Sequence, residues 1–188
     1  MKIYNKEEFN KNKEELLTKI KEGNIFIYPT DTIYGIGCVA TNTKAVASIR
    51  RIKERENTPF SIIAPSVDWV KSNCSINAKA EEWINRFPGP FTLILPVQGN
   101  IELAENVNPN KDTLGIRIPD HWIAKLVEEC GVPIVTTSAN KTGQKFMTSV
   151  EDLDAEVEKE VEFMIYEGPK EARPSKIVNV QMEEVLDR

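Results

Sequence analysis

Residues 25–37 read IFIYPTDTIYGIG. Ile25 to Tyr28 form a short apolar run rich in strand-favouring residues, Pro29 ends it, and a polar turn follows. Thr43 to Arg55 then carries Val46, Ile49 and Ile52 at helical spacing. Strand, polar turn and helix is the repeating unit of an α/β fold, and the same alternation continues along the chain. FSIIA at 60–64 precedes a helical segment around 79–86, with Trp83 and Phe87 expected to face the core, and PGP at 88–90 interrupts the chain before FTLILP. LGIRIP at 114–119 reads as a strand, with Asp120 as the expected N-cap of a helix through Ile123, Leu126 and Val127 that ends at Gly131. PIVTTSAN at 133–140 is a strand running into a polar turn. A short helix near 149–158, a strand at 162–166, the loop EGPKEARPS and a last strand KIVNV complete the pattern. At the other end, Asn5 and Glu8 have capping-box spacing, and Phe9, Leu16, Leu17 and Ile20 mark one face of a helix that stops at Gly23. The expectation is an α/β fold in one domain spanning 1–188, with a mixed, twisted sheet and flanking helices.

Composition narrows the chemistry. Hydrophobic residues make up 40% and charged residues 28% of the 188, the balance of an ordinary globular protein. No apolar run approaches the roughly 20 residues needed to span a bilayer, and the first residues lack the apolar core of a signal peptide, so a cytoplasmic protein with no membrane partner is expected. Cys38, Cys74 and Cys130 form no CxxC pair and are expected as buried thiols; His121, the single histidine, cannot build a common zinc site or a hydrolase triad. The net charge of −5 argues against a general nucleic-acid binder, so any such contact must be local.

Polar clusters stand at the ends of the apolar strands: Thr30 to Thr32, Lys53 to Thr58, Thr113 to Arg117, Thr136 to Asn140, Thr148, and Ser175 with Lys176. Strand ends are where α/β folds assemble ligand sites. The inventory is cations with hydroxyl and amide donors and few carboxylates, which suits phosphates and carboxylates as ligands rather than carboxylate acid–base chemistry. Singly, each cluster has a blander reading as a cap, a solvated helix end or a turn. No Walker A motif is present, and GIG at 35–37 lacks the third glycine of a dinucleotide fingerprint. Asp31 is first a turn former and second a metal or amine contact.

The ordered set is more specific. YPTDTIYGIG at 28–37, Lys53-Glu54-Arg55, PGPFTLIL at 88–95, LGIRIPDH at 114–121, VPIVTTSAN at 132–140 with Gly143 and Thr148, and PSKIVNV at 174–180 together resemble the YrdC/Sua5 family over nearly the whole chain. The resemblance implies a YrdC-like twisted sheet around a concave basic cavity. With eight residues after Val180, it also implies the short form without the Sua5 extension. The implied activity is threonylcarbamoyl-AMP synthesis, in which L-threonine and bicarbonate or CO2 give a carbamate that attacks ATP, with Mg2+ accompanying the nucleotide and pyrophosphate leaving. The product would pass to a threonylcarbamoyl transferase of the TsaD type acting on tRNA.

Carried over by position, Lys53, Arg55, Ser138 and Asn140 match the family's nucleotide and catalytic elements. Thr58, Thr113 and Thr148 match ATP contacts, and Thr32, Arg117, Ser138 and Ser175 match threonine contacts. Charge building on the α-phosphate calls for fixed cations and donors, and a guanidinium fork suits the amino-acid carboxylate. The chain departs from the family in a tighter loop before Thr58, in Ile63 where some members place a histidine, and in Lys176 where a threonine is common. Two rivals remain: a YrdC-like module that binds RNA without catalysis through Lys44, Arg50, Arg51, Lys53, Arg55, Lys141 and Lys145, and a carbamoyl-transfer enzyme that carries this domain within a larger chain. The acylphosphatase-like and zinc-finger segments of the latter are not found in these residues.

Overall fold

A computed structural model of the chain describes residues 1–109, 112–182 and 184–186. The described strands form one mixed sheet in the order β1-β8-β2-β3-β7-β4-β6-β5-β9-β10. These are β1 Lys2–Tyr4, β2 Phe26–Tyr28, β3 Gly35–Gly37, β4 Ser61–Ile63, β5 Phe91–Pro96, β6 Thr113–Arg117, β7 Ile134–Ser138, β8 Phe163–Ile165, β9 Lys176–Asn179 and β10 Glu184–Leu186. The helices are α1 Lys6–Lys11, α2 Lys13–Lys21, α3 Thr43–Lys53, α4 Val67–Asn73, α5 Ala78–Ile84, α6 Ile123–Cys130 and α7 Ala155–Glu160.

Side chains alternate across a strand, and here the alternation sorts the sheet into two faces with different jobs. Ile27, Ile36, Val135, Ile62, Ile116, Leu93 and Val178 point one way and meet α3, α4, α5 and α7 in the larger core. Phe26, Tyr28, Ile134 and Ile63 point the other way and meet Phe9 of α1, Leu16 and Ile20 of α2, and Ile123, Leu126 and Val127 of α6 in the smaller core. Those three helices cover only part of the second face. On the remainder the register sets Gly35 against Ser138, Thr136 against Ser61, Ser61 against Gly115 and Ile63 against Arg117. A polar strip is thereby left open on strands whose other face is mostly apolar.

Several expectations are corrected. The first helix is two, α1 and α2, divided at Asn12, although the capping box between Asn5 and Glu8 is present as read. A strand, β1, precedes them and pairs with β8. Asp120 does not cap α6; Trp122 stands at that position and the Asp120 amide donates to Asp31 Oδ2 at 3.0 Å. Gly131 ends α6 in a left-handed conformation, φ 76°, as expected of that residue. The segment near 149–158 splits into a 3-10 turn at Val150–Asp152 and α7. The three cysteines are free and buried. Among the described residues no helix is long and apolar enough to cross a membrane.

Gly37 stands against β7 with no room for a side chain. A Cβ added there would lie 2.1 Å from the Val135 carbonyl oxygen, which belongs to a neighbouring strand and cannot swing aside. Gly37→Ala should therefore destabilise the protein by about 1–3 kcal/mol, the usual cost of overpacking. In urea this would appear as a lower unfolding midpoint at unchanged slope; an unchanged midpoint would contradict the register given for these strands.

Candidate active site

The turn from β2 to β3 is built by its own hydroxyls. Thr30 Oγ1 accepts from the Thr32 amide at 3.1 Å and donates to the Ile33 carbonyl at 2.7 Å, so Thr30 is buried as a turn former. This places Asp31 and Thr32 against the end of β6. There the Arg117 guanidinium, in a residue only 5% exposed, donates through Nη2 to Thr32 Oγ1 at 2.9 Å and to the Asp31 carboxylate. Arg117 Nε is buried and has no acceptor. Burial draws the Arg117 pKa down, while the Asp31 charge opposes that shift. Asp31 thus has a definite job, bridging Arg117 and the Asp120 amide.

Arg117 forms part of the wall of a cavity of about 230 Å³. Ser61, Thr92, Thr136, Ser138 and Ser175 are among the residues lining it, Arg55 supplies a second cation, and Tyr34, Phe146 and Pro174 close its sides. Ser61 reaches in because its neighbour on β6 is glycine: a Cβ on Gly115 would stand 2.5 Å from Ser61 Oγ. Thr92 and Ser175 hydroxyls lie 3.2 Å apart across β5 and the start of β9. The lining is richer in hydroxyls than in cations, so it is a polar cavity with two guanidinium groups.

The Lys53-Glu54-Arg55 element divides at the end of α3. Glu54 caps the helix with left-handed φ 51°, sending Lys53 inward and Arg55 toward the cavity. Lys53 is 0% exposed. Its ammonium donates to the Ser138 carbonyl at 2.7 Å, to Asn140 Oδ1 at 2.9 Å and to the Asn140 carbonyl. Burial first, and then the Arg55 charge, brings its pKa down to about 7. Ser138 Oγ donates to Asn140 Oδ1, while Asn140 Nδ2 donates to the carbonyls of Lys141 and Gln144 at 2.8 and 2.7 Å. Arg55 is lightly tied, through Nε to Thr142 Oγ1 at 3.2 Å.

The expected residues are therefore brought together unevenly. Arg55, Arg117, Ser138 and Ser175 line one cavity, and Thr32 touches it through Arg117. Lys53 and Asn140 lie beneath its floor, not on its wall. Thr113 is on the same face of β6 as Arg117 but at the far end of the strand, where it lines a second cavity of about 310 Å³ with Asn108 and Leu114. Thr58 is exposed, and its carbonyl accepts from Arg50 at 3.2 Å. Thr148 donates its hydroxyl to Asp152.

Two residues organise the loops around the site. Arg50 holds the loop after α3, donating to the carbonyls of Arg55 at 3.1 Å and Glu56 at 3.0 Å as well as Thr58, with its guanidinium 4.7 Å from the centre of the Phe60 ring. Tyr34 secures the loop 167–174: its hydroxyl donates to the Gly168 carbonyl at 2.6 Å and accepts from the Glu167 amide at 3.0 Å. The Glu167 carboxylate also meets His121 Nε2 at 3.0 Å and the Trp122 indole. This loop is anchored and contributes Pro174 to the cavity wall. Arg51, on the surface, is paired with Glu160 at 2.6 Å, so Arg50, Arg51 and Lys53, three of the cations counted toward an RNA-binding cavity, all have partners within the protein.

Comparison with known proteins matches this architecture. A family described as "Telomere recombination", which groups Sua5, YciO and YrdC proteins, matches residues 18–186. A Methanocaldococcus jannaschii protein with a provisional threonylcarbamoyl-AMP synthase name is 39% identical over 194 residues, covering 99% of this chain and 89% of its own. The mouse threonylcarbamoyl-AMP synthase is 34% identical over 138 residues, covering 72% of this chain and 49% of its own. The crystal structure of P. abyssi Sua5 with L-threonine superposes with a TM-score of 0.82 at 27% identity, over 98% of this chain and 55% of that one. This chain thus spans about half the length of the mouse and P. abyssi proteins. The matched span, the sheet and the ordered motifs together show that the chain belongs to the Sua5/YciO/YrdC family.

Proposed function

We propose that this protein is a nucleotidyltransferase that makes threonylcarbamoyl-AMP and pyrophosphate from L-threonine, bicarbonate or CO2 and ATP, in support of tRNA modification. The observation that carries the reading is Arg117: a buried guanidinium on the wall of a hydroxyl-lined cavity, fixed by Asp31 and Thr32 and left with one donor that has no acceptor. An unsatisfied buried donor is costly, and a carboxylate meeting the guanidinium edge would offset that cost. Nε is shielded in the free protein, so binding has to re-aim the side chain, as catalytic sites commonly tighten only with substrate present. Relatives named threonylcarbamoyl-AMP synthases, and a Sua5 crystallised with L-threonine, support the same assignment.

In this reading Arg117, Thr32, Ser138 and Ser175 receive threonine. Its amino nitrogen bonds to the carbon of CO2 and loses a proton, giving a carbamate. A carbamate oxygen then bonds to the α-phosphorus of ATP as the bond to the β-phosphate oxygen breaks and pyrophosphate leaves. Arg55, free at its outer nitrogens among the described residues, would meet the phosphoryl charge that grows in this step. Thr58, Thr113 and Thr148 would touch ATP only where it extends beyond the 230 Å³ cavity. Mg2+ arriving with ATP would be held chiefly by phosphate oxygens and water, since Asp31 is already paired with Arg117. RNA recognition as the sole function is the weaker reading, because of the cations it needs Lys53 is buried, Arg50 is spent on backbone carbonyls and Arg51 is paired with Glu160. The product would be handed to a threonylcarbamoyl transferase.

The purified protein should release pyrophosphate from ATP only when L-threonine and bicarbonate are both present; equal release without threonine would remove the threonine assignment. Arg117→Ala should raise the threonine KM by about 10–100-fold, the worth of a charge-assisted hydrogen bond, with a smaller effect on the ATP KM. Arg55→Ala should show the opposite bias, losing turnover with ATP. A reversed pattern would mean that the two subsites are exchanged.

A further inference from the structure

We propose that Lys53 is a positioning residue, whose ammonium fixes the Ser138–Asn140 turn from beneath while Arg55, the other cation of the element, meets the anionic substrate. The effect on turnover rests on the synthase reading, but the geometry does not. Lys53 lies on the buried stripe of α3 with Ala45, Val46, Ile49 and Ile52, not on its solvent face. An ammonium has three protons to donate, and the turn sets four acceptors around it: the Ser138 carbonyl, the Asn140 carbonyl, Asn140 Oδ1 and, at 3.5 Å, Ser138 Oγ. To touch a phosphate, Lys53 would have to give up a carbonyl of the turn or leave Asn140 Oδ1 to Ser138 Oγ alone.

Asn140 is equally engaged. Its Oδ1 accepts from Lys53 and Ser138 Oγ, and its Nδ2 donates to two carbonyls of the following loop. Lys53 and Asn140 therefore form a closed network that shapes the end of β7. The network's single contribution to the cavity wall is Ser138. Arg55, one residue past the left-handed cap, lines the cavity and is held only through Nε. The same motif thus supplies a fastener pointing inward and a ligand group pointing outward.

The test starts with the wild-type protein. Burial and Arg55 bring Lys53 to about 7, so if reagents could reach it, its amine would acylate faster than an ordinary lysine. Treatment with an acetylating reagent near neutral pH, mapped by mass spectrometry, should modify the exposed Lys44 and Lys145 and leave Lys53 unmodified with or without ATP. Modification of Lys53 in the free protein, blocked by ATP, would overturn the proposal. In Lys53→Met, amide hydrogen exchange should quicken in residues 138–144 and stay unchanged in the Arg117 strand; unchanged exchange in the turn would also overturn it.

Turnover supplies the second arm. Lys53→Met and Asn140→Ala should each lower kcat by about 100-fold, the cost of misplacing a reacting geometry by an ångström. Because the two act as one unit, the double variant should fall by about the same factor. A loss near the product, about 10,000-fold, would mean that Lys53 contacts substrate independently. If the wild-type protein makes no threonylcarbamoyl-AMP, the synthase reading fails while labelling and exchange still decide the role of Lys53.

Discussion

A lysine ammonium taken wholly out of water has to find acceptors, because an unpaired buried charge is among the costliest things a fold can contain. Lys53 finds carbonyls and an amide oxygen from the turn after β7 rather than a carboxylate. That choice ties the end of α3 to the end of β7, two elements 85 residues apart in sequence. It also decides where everything nearby can point. Asn140 is held to the ammonium through Oδ1 and its carbonyl, Ser138 is turned to the cavity, and the left-handed Glu54 releases Arg55 toward it.

Arg117 imposes a similar constraint on the other side of the site. Asp31 and Thr32 reach it because Thr30 closes the β2–β3 turn with its own hydroxyl. Between the two buried cations lies the part of the sheet face that α1, α2 and α6 leave uncovered. Its polar character follows from register: the residues opposite one another are Ser61, Thr136, Gly115, Gly35 and Ser138, while their immediate neighbours Ile62, Val135, Ile116 and Ile36 fill the larger core. One set of strands therefore builds a packed interior on one face and an anion-receptive surface on the other.

Much of this is legible in the residues. The apolar runs located most of the central strands, and Gly131 marked the end of α6. β1 and β10, at three residues each, are too short to show any period, and both exist because a sheet edge was available to pair with. Asp120 looked like a cap by type, yet its amide serves Asp31, a partner 89 residues away that no local pattern reveals. The site was partly visible in the same way. In FTLIL Thr92 faces opposite to Leu93 and Leu95, in IVTTS Thr136 and Ser138 face opposite to Val135, and Lys53 stands in register with Val46 and Ile49 on the apolar stripe of α3. That spacing is the signal for a buried lysine. Reading Lys53 by residue type alone makes it a phosphate ligand, whereas its place on the helix makes it part of the scaffold.

The proposed chemistry has an amino-acid carboxylate and a nucleotide phosphate received by different guanidinium groups, those of Arg117 and Arg55, which line one polar cavity. Arg117 is enclosed and held by Asp31 and Thr32, which suits selection of a small zwitterion; Arg55 is loosely held, which suits a group that follows charge as it moves. Incubation with ATP, L-threonine and 13C-bicarbonate followed by mass spectrometry asks about the bond that defines this chemistry. The account predicts an adenylate carrying both the threonine and the labelled carbon; AMP or ADP formed with no labelled threonine adduct would contradict it.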